Sequence, residues 1–268
     1  MHENLKKPKD NWANGDLYEG YMGRWSRHVA REFIQWLAVP AGCQWLDVGC
    51  GTGALSQTVL HLADPARIKG IDRSEGFVNF AREHVGDDRV HFEVGNAEVL
   101  TDKSETFDAV VSGLVLNFIP HPERALAEMT RVTRPGGVVA VYVWDYAEGM
   151  QFIRHFFNAA VALDPNAAEH DEGPRFPICR PEGLRQLFES TGLQDVEARL
   201  IEIPTVFRDF DDYWSPFLGG VGAAPVYAMS LSEEHRAALR EQIRAGLPLN
   251  SDGSIPLSAR AWAARGRR

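Results

Sequence analysis

With 268 residues and a formal net charge of −9, the chain fits one domain with a sizeable insertion, and its acidic balance excludes nucleic acid as the main partner, because neutralising phosphates needs a basic surface. Cys43, Cys50 and Cys179 form no C-x-x-C pair, so neither a disulfide framework nor a zinc site is suggested and no metal is expected. The most apolar stretch, Gly137 to Trp144, falls far short of the roughly 18 residues of a membrane span, which leads us to expect a cytoplasmic protein without membrane attachment.

Residues 1–17 include Lys6, Lys7, Pro8 and Lys9 with little to bury and read as a mobile leader. From Trp25, the apolar residues Val29, Phe33, Ile34 and Leu37 recur at helical spacing opposite Arg27, Arg31, Glu32 and Gln35, which predicts an amphipathic helix. Gln44 to Val48 is a short apolar run that stops at Gly49, and Leu55, Val59, Leu60 and Leu62 then turn helical: strand, glycine loop, helix. The alternation continues with strands at Ile68 to Ile71, Val90 to Val94 and Phe107 to Ser112, and with a helix at Glu75 to His84. Strands alternating with helices imply a parallel, doubly wound α/β sheet.

Pro122 suits the first turn of a helix whose inward face is Leu126, Met129 and Val132. Pro135-Gly136-Gly137 then turns the chain into a strand at Val138 to Trp144. Pro181 to Thr191 reads as a helix ended by Gly192, followed by strands at Val196 to Ile203 and Ala259 to Ala264, which we expect to pair as an antiparallel edge. Two stretches interrupt the scheme, at 146–180 and 207–256. The second holds a helix capped by Ser232, with Glu233 and Glu234 in its first turn. Both are expected to form a lid over one end of the sheet within a single domain spanning 1–268.

Asp47-Val48-Gly49-Cys50-Gly51-Thr52-Gly53 places three glycines between a strand and a helix, where backbone can approach a nucleotide-like cofactor closely. Gly49, Gly51 and Ala54 also satisfy the dinucleotide pattern G-x-G-x-x-G/A, so a nicotinamide oxidoreductase stays open at this point. Asp47, two residues before the first glycine, favours a cofactor carrying an ammonium and a sulfonium and repels a pyrophosphate. Asp72 closes the second strand, where a carboxylate accepts hydrogen bonds from ribose hydroxyls; Arg73 beside it is grouped with the cofactor contacts.

From Tyr18 to Asp145 the chain resembles the class I S-adenosylmethionine-dependent methyltransferases, specifically the type 11 group related to quinone C-methyltransferases. The resemblance rests on Leu46-Asp47-Val48-Gly49-Cys50-Gly51-Thr52-Gly53, Gly70-Ile71-Asp72, Gly95-Asn96-Ala97-Glu98, Phe107-Asp108 and Arg134-Pro135-Gly136-Gly137. It implies a Rossmann-like seven-stranded sheet, mostly parallel with an antiparallel last strand, and S-adenosylmethionine as cofactor. It implies that Asn96 and Ala97 meet the adenine, with Asn96 standing where the family usually has Asp. It further implies that Ser112 and Gly113 present backbone groups to the methionine moiety, and that Arg24 pairs with its carboxylate.

A sulfonium methyl is already activated, so holding an acceptor in line in a water-poor site accelerates transfer without a dedicated catalytic residue, and none is assigned. His121 could serve as a base, although a histidine at a helix entry is more often solvated. Asn117 and Phe118, after the fourth strand, are candidates for the acceptor pocket, as are Trp144, Tyr146, Phe152, Phe156, Phe157, Tyr213, Trp214 and Phe217, with core packing the competing reading. His155 and His170 receive no role, and Asp108 reads as structural. Ser112 to Asn117 lacks both the Asn/Asp-Pro-Pro-aromatic signature of methylation on nucleic-acid bases and the Pro-Cys nucleophile of cytosine enzymes. The acceptor is therefore expected to be a small molecule, with a cofactor-binding regulatory protein as a further alternative.

Overall fold

A computed structural model of the protein describes residues 19–219 and 222–268. The expected leader lies outside the described residues. A π-helical turn, Glu19–Gly23, leads into α1 (Arg24–Leu37), whose stripe of Val29, Ala30, Phe33, Ile34 and Leu37 is buried. There follow β1 (Gln44–Val48), α2 (Ala54–Leu62), β2 (Arg67–Asp72), α3 (Glu75–His84), β3 (Val90–Val94) and β4 (Phe107–Gly113). Next come α4 (Pro122–Val132), β5 (Thr133–Trp144), α5 (Gln151–Leu163), the short α6 (Glu172–Arg175), α7 (Pro181–Ser190) and β6 (Gln194–Phe207). The chain ends with α8 (Phe210–Trp214), α9 (Ala223–Ser230), α10 (Glu233–Gly246) and β7 (Ile255–Arg267).

The seven strands form one sheet in the order β3-β2-β1-β4-β5-β7-β6. The pairings β3-β2, β2-β1, β1-β4 and β4-β5 are parallel, while β7 lies antiparallel between β5 and β6. This is a Rossmann-like, doubly wound arrangement. From β1 the chain winds outward through β2 and β3, then crosses back to β4 and continues the other way. The order reverses between β1 and β4, and such a switch point opens a crevice at the carboxyl ends of the strands. Local chemistry sets the helix ends: Ser232 Oγ accepts from His235 N at the start of α10, the cap the sequence predicts, and Ser74 Oγ accepts from Phe77 N at the start of α3, a cap the sequence reading did not single out.

The last two strands differ most from expectation. They pair from Gln194↔Arg267, across a bulge before Glu197↔Arg265, to Phe207↔Ile255, well beyond Val196 to Ile203 and Ala259 to Ala264. Pro204 argues for an early stop, but β6 is the sheet edge, where a residue without an N–H need not break a ladder. The strand at the end is thus long, and it pairs along its whole length. The second insertion is the excursion between these two strands.

That excursion packs mainly on aromatic rings. Phe152 lies 5.1 Å from Phe217 and 6.0 Å from Tyr213, and Phe156 stacks on Phe217 at 4.6 Å. The Tyr213 hydroxyl donates to the Phe152 carbonyl at 2.7 Å, so this buried phenol is satisfied. The aromatic supply of the two insertions therefore builds a core joining α5 to the β6–β7 excursion. Each such pair adds about 0.5–1.5 kcal/mol beyond area burial.

Candidate active site

A cavity of about 910 Å³ opens at the switch point. At one end lie Gly49, Cys50, Gly51 and Thr52 of the glycine loop, with Asp72, Arg73 and Ser74 beside them. Gly95, Asn96, Ala97 and Glu98 form the rim after β3. Gly113, Leu114, Val115, Phe118, Ile119 and Pro120 follow β4, and Tyr142, Trp144 and Tyr146 close the side toward β5. Met22 and Ser26 of the amino-terminal segment complete the wall.

Gly51 has a φ of +52° and nothing within 4 Å of where a Cβ would stand, so its backbone faces open space. At Gly49, with φ +77°, a Cβ would meet Val115 Cγ1 at 2.3 Å. One glycine lets a ligand approach and the other lets the loop after β4 approach. Gly53 heads α2 and is absent from the cavity lining.

Asp72 organises this loop. Its Oδ2 accepts from Gly51 N at 3.0 Å and its Oδ1 from Ser74 N at 2.8 Å. Burial raises its pKa above the ordinary 3.8, and those two N–H donors oppose the rise. Each carboxylate oxygen keeps a lone pair for a ligand hydroxyl. Asn96 Oδ1 already accepts from Glu98 N at 3.0 Å, closing an Asx turn at the rim, so its amide oxygen faces a ligand with one lone pair rather than two.

Besides Gly53, three expected site residues sit elsewhere. Asp47 is buried but does not line the cavity; its Oδ2 accepts from Ser56 Oγ at 2.7 Å, and Oδ1 has no partner. Burial pushes its pKa to about 7, against the Ser56 hydrogen bond and with a contribution from the nearby Asp72. The strand end turns this carboxylate toward α2, behind the loop. Ser112 is in register with Val141 inside the sheet, so only Gly113 of that pair reaches the cavity. Arg24 does not line it either: its NH1 meets Asp212 Oδ1 at 3.0 Å, and its guanidinium lies 4.5 Å from the Trp25 ring centroid and 4.7 Å from that of Phe207. The expected carboxylate-binding arginine is thus committed to the second insertion.

Sequence reasoning passed over Thr52, Met22, Ser26 and Tyr142 as cavity residues. Thr52 lies inside a quoted motif, but the others carry no local signal, because the sheet and the amino-terminal turn bring them there. His121 is an exposed residue 3.6 Å from Glu123, and His155 and His170 are not in the lining. Asp108 accepts from Gln44 N and pairs with Arg134, a structural role. Burial drives the Cys50 thiol well above its ordinary range, so it is not a thiolate nucleophile. Among the described residues no three His, Cys, Asp or Glu side chains converge as metal ligands would, and no helix is long and apolar enough to cross a membrane.

Of the two expected lid insertions, the described residues of the cavity wall include Tyr146 from the first and none from the second. The charged lining residues are Asp72, Arg73 and Glu98. Two carboxylates against one guanidinium suit a cationic ligand and oppose a pyrophosphate.

A methyltransferase-domain family model matches residues 46–141, the span from β1 into β5. Over 211 residues the chain is 29% identical to the demethylmenaquinone methyltransferase of Staphylococcus aureus (strain JH9), covering 74% of this chain and 86% of that protein. In fold it is similar to phosphoethanolamine N-methyltransferase 2 of Haemonchus contortus, solved with S-adenosylhomocysteine, at a TM-score of 0.59 and 17% identity, over 94% of this chain and 56% of that one. It is similar also to the YcgJ protein of Bacillus subtilis, at a TM-score of 0.57 and 18% identity, over 90% of this chain and 99% of that one.

Proposed function

We infer the acceptor from one premise: the chain belongs to the class I S-adenosylmethionine-dependent methyltransferases, and it transfers a methyl group from that cofactor. The proposed acceptor is a small molecule bearing a planar, uncharged ring. One observation carries this reading: the cavity surface away from the glycine loop is Phe118, Ile119, Pro120, Trp144 and Tyr146, with no charged side chain among them. Phe176 supports it from behind, 5.1 Å from Phe118 and 5.6 Å from Tyr146. Such a surface favours ring stacking and offers nothing to an ionic acceptor. The quinone in the name of the Staphylococcus aureus relatives is a ring of this kind.

In the same proposal Asp72 holds the ribose hydroxyls, and Asn96 and Ala97 meet the adenine at the rim. Gly49, Gly51 and Gly113 bring backbone against the methionine portion, with Arg73 at the entrance. Asp47 and Arg24 have no direct contact with the cofactor. A cavity of about 910 Å³ lies high in the roughly 300–1,000 Å³ range of ligand pockets, which leaves room for an acceptor beside a cofactor.

When bound, the cofactor supplies an electrophilic methyl on a sulfonium. The chain's part is to align and to dry. Phe118, Trp144 and Tyr146 hold the ring, the apolar wall keeps water from the reacting atoms, and positioning of this kind lowers a barrier by several kcal/mol, with about 7–11 kcal/mol as the ceiling. Among the described residues no histidine or lysine lines the cavity, so an acceptor that binds as a neutral ring and loses its hydroxyl proton through its own acidity, such as a hydroquinone or acidic phenol, fits best. The test is labelled S-adenosylmethionine with separate pools of hydroquinones and phenols, phosphorylated amines, and total RNA and DNA. Label should enter the ring compounds; label in charged amines or polymer instead would refute the acceptor class.

A further inference from the structure

We propose that Glu19 is a positioning residue for the cofactor: it latches residues 19–26, one wall of the cavity, onto the glycine loop and thereby sets how fast the cofactor leaves. The proposal rests on reading this cavity as the cofactor site. Met22 and Ser26 are the wall residues of the segment, and its first turn is π-helical, a rare geometry found frequently at functional sites.

One carboxylate ties three parts of the chain together. Glu19 Oε1 accepts from Thr52 Oγ1 at 2.7 Å, and Oε2 accepts from Arg27 NH1 at 2.5 Å. Thr52 is buried in the glycine loop and lines the cavity, while Arg27 belongs to α1 and also donates to the Gly23 carbonyl at 3.2 Å. The Glu19 side chain folds back over its own turn. A Cβ on Gly23 would stand 2.6 Å from the Glu19 carboxyl carbon, so a larger residue there would displace the carboxylate from this position.

The outer side of the segment is fixed differently. The Tyr21 ring lies 5.4 Å from Phe152 and 6.1 Å from Phe217, and Trp25 meets Phe207 at 5.5 Å. Arg24 pairs with Asp212. The second insertion, whose described residues are absent from the cavity lining, reaches the cavity through this braced wall. Its inner hold on the glycine loop is the Glu19 carboxylate, whose side chain is 22% exposed against 41% for Arg27. Charge-assisted bonds at a partly solvated site are firm yet able to open. A ligand enclosed between the glycine loop and this wall leaves when they do.

The experiment is surface plasmon resonance of the full chain with S-adenosylhomocysteine, comparing wild type with Glu19→Gln, Thr52→Ser and Thr52→Val, with the exposed Glu32→Gln as control. Glu19→Gln should dissociate about tenfold faster with little change in association rate, and in turnover it should raise KM for S-adenosylmethionine while kcat at saturation holds. Thr52→Val should behave likewise and Thr52→Ser should retain the wild-type rate, since only the hydroxyl matters. Unchanged dissociation in folded Glu19→Gln, or equal effects of Ser and Val at Thr52, would overturn the latch. Absence of binding by wild type would instead overturn the cofactor-site reading. If Glu19→Gln does not fold, hydrogen exchange of wild type decides: residues 19–26 should slow on binding, and unaltered exchange rejects the proposal.

Discussion

Replacing Asp72 with asparagine tests the centre of the site. The carboxylate accepts from Gly51 N at 3.0 Å and Ser74 N at 2.8 Å, so it fixes the glycine loop and the start of α3 together. Hydrogen bonds to a charged acceptor contribute about 1.5–3 kcal/mol and neutral ones about 0.5–1.5 kcal/mol. An asparagine of the same shape keeps one oxygen for one of these donors and turns an NH2 group toward the other. The difference is about 2–3 kcal/mol at this buried position, which corresponds to about 30- to 150-fold weaker binding of a ligand that needs the ordered loop. Calorimetric titration with S-adenosylhomocysteine measures it, with NADH run in parallel. Asp72→Asn protein that is folded, by its melting curve, and binds with wild-type affinity would refute the role assigned to this carboxylate. Binding of NADH in place of S-adenosylhomocysteine would refute the electrostatic argument from Asp72 and the lining.

Asp47 should make the ligand-free chain less stable as pH rises. Its pKa is 3.8 ordinarily and about 7 when folded, so between those values the folded chain keeps a proton that the unfolded chain has lost, and stability falls toward neutrality by up to about 1.4 kcal/mol per pH unit. Urea midpoints at pH 5 and pH 7.5 should fall for wild type and fall less for Asp47→Asn; equal declines would remove Asp47 as the cause. Phe118→Ala, which takes a ring from the acceptor end, should raise KM for a planar acceptor about tenfold and leave S-adenosylhomocysteine affinity within about twofold, as paired kinetics and calorimetry will show. Arg24→Ala and Asp212→Ala should show a coupling of about 0.5–1 kcal/mol in a double-mutant cycle of thermal stability, discounted because the arginine side chain is 31% exposed. Purely additive effects would mean that the pair braces nothing.

The glycine loop was legible from residues alone because its constraints are local: Gly51 needs a positive φ, Asp72 must end a strand, and both follow from short segments. The helix entries at Pro122 and Ser232 were legible for the same reason. The lengths of β6 and β7 were not, since Pro204 is tolerated only because β6 is an edge strand, and being an edge is a property of the sheet.

Side-chain destinations divide along the same line. The sequence determined that the chain is a doubly wound α/β protein with a nucleotide-type loop and acidic residues at two strand ends, because periodicity and turn chemistry act within a few residues. Only the tertiary structure decided that Arg24 turns to Asp212 rather than the cavity, and that Asp47 faces Ser56. It alone brought the Glu19 carboxylate between Thr52 and Arg27. Each of these depends on which of several possible partners, 8 to 188 residues away along the chain, packing brings within hydrogen-bond reach, and no local pattern encodes that distance.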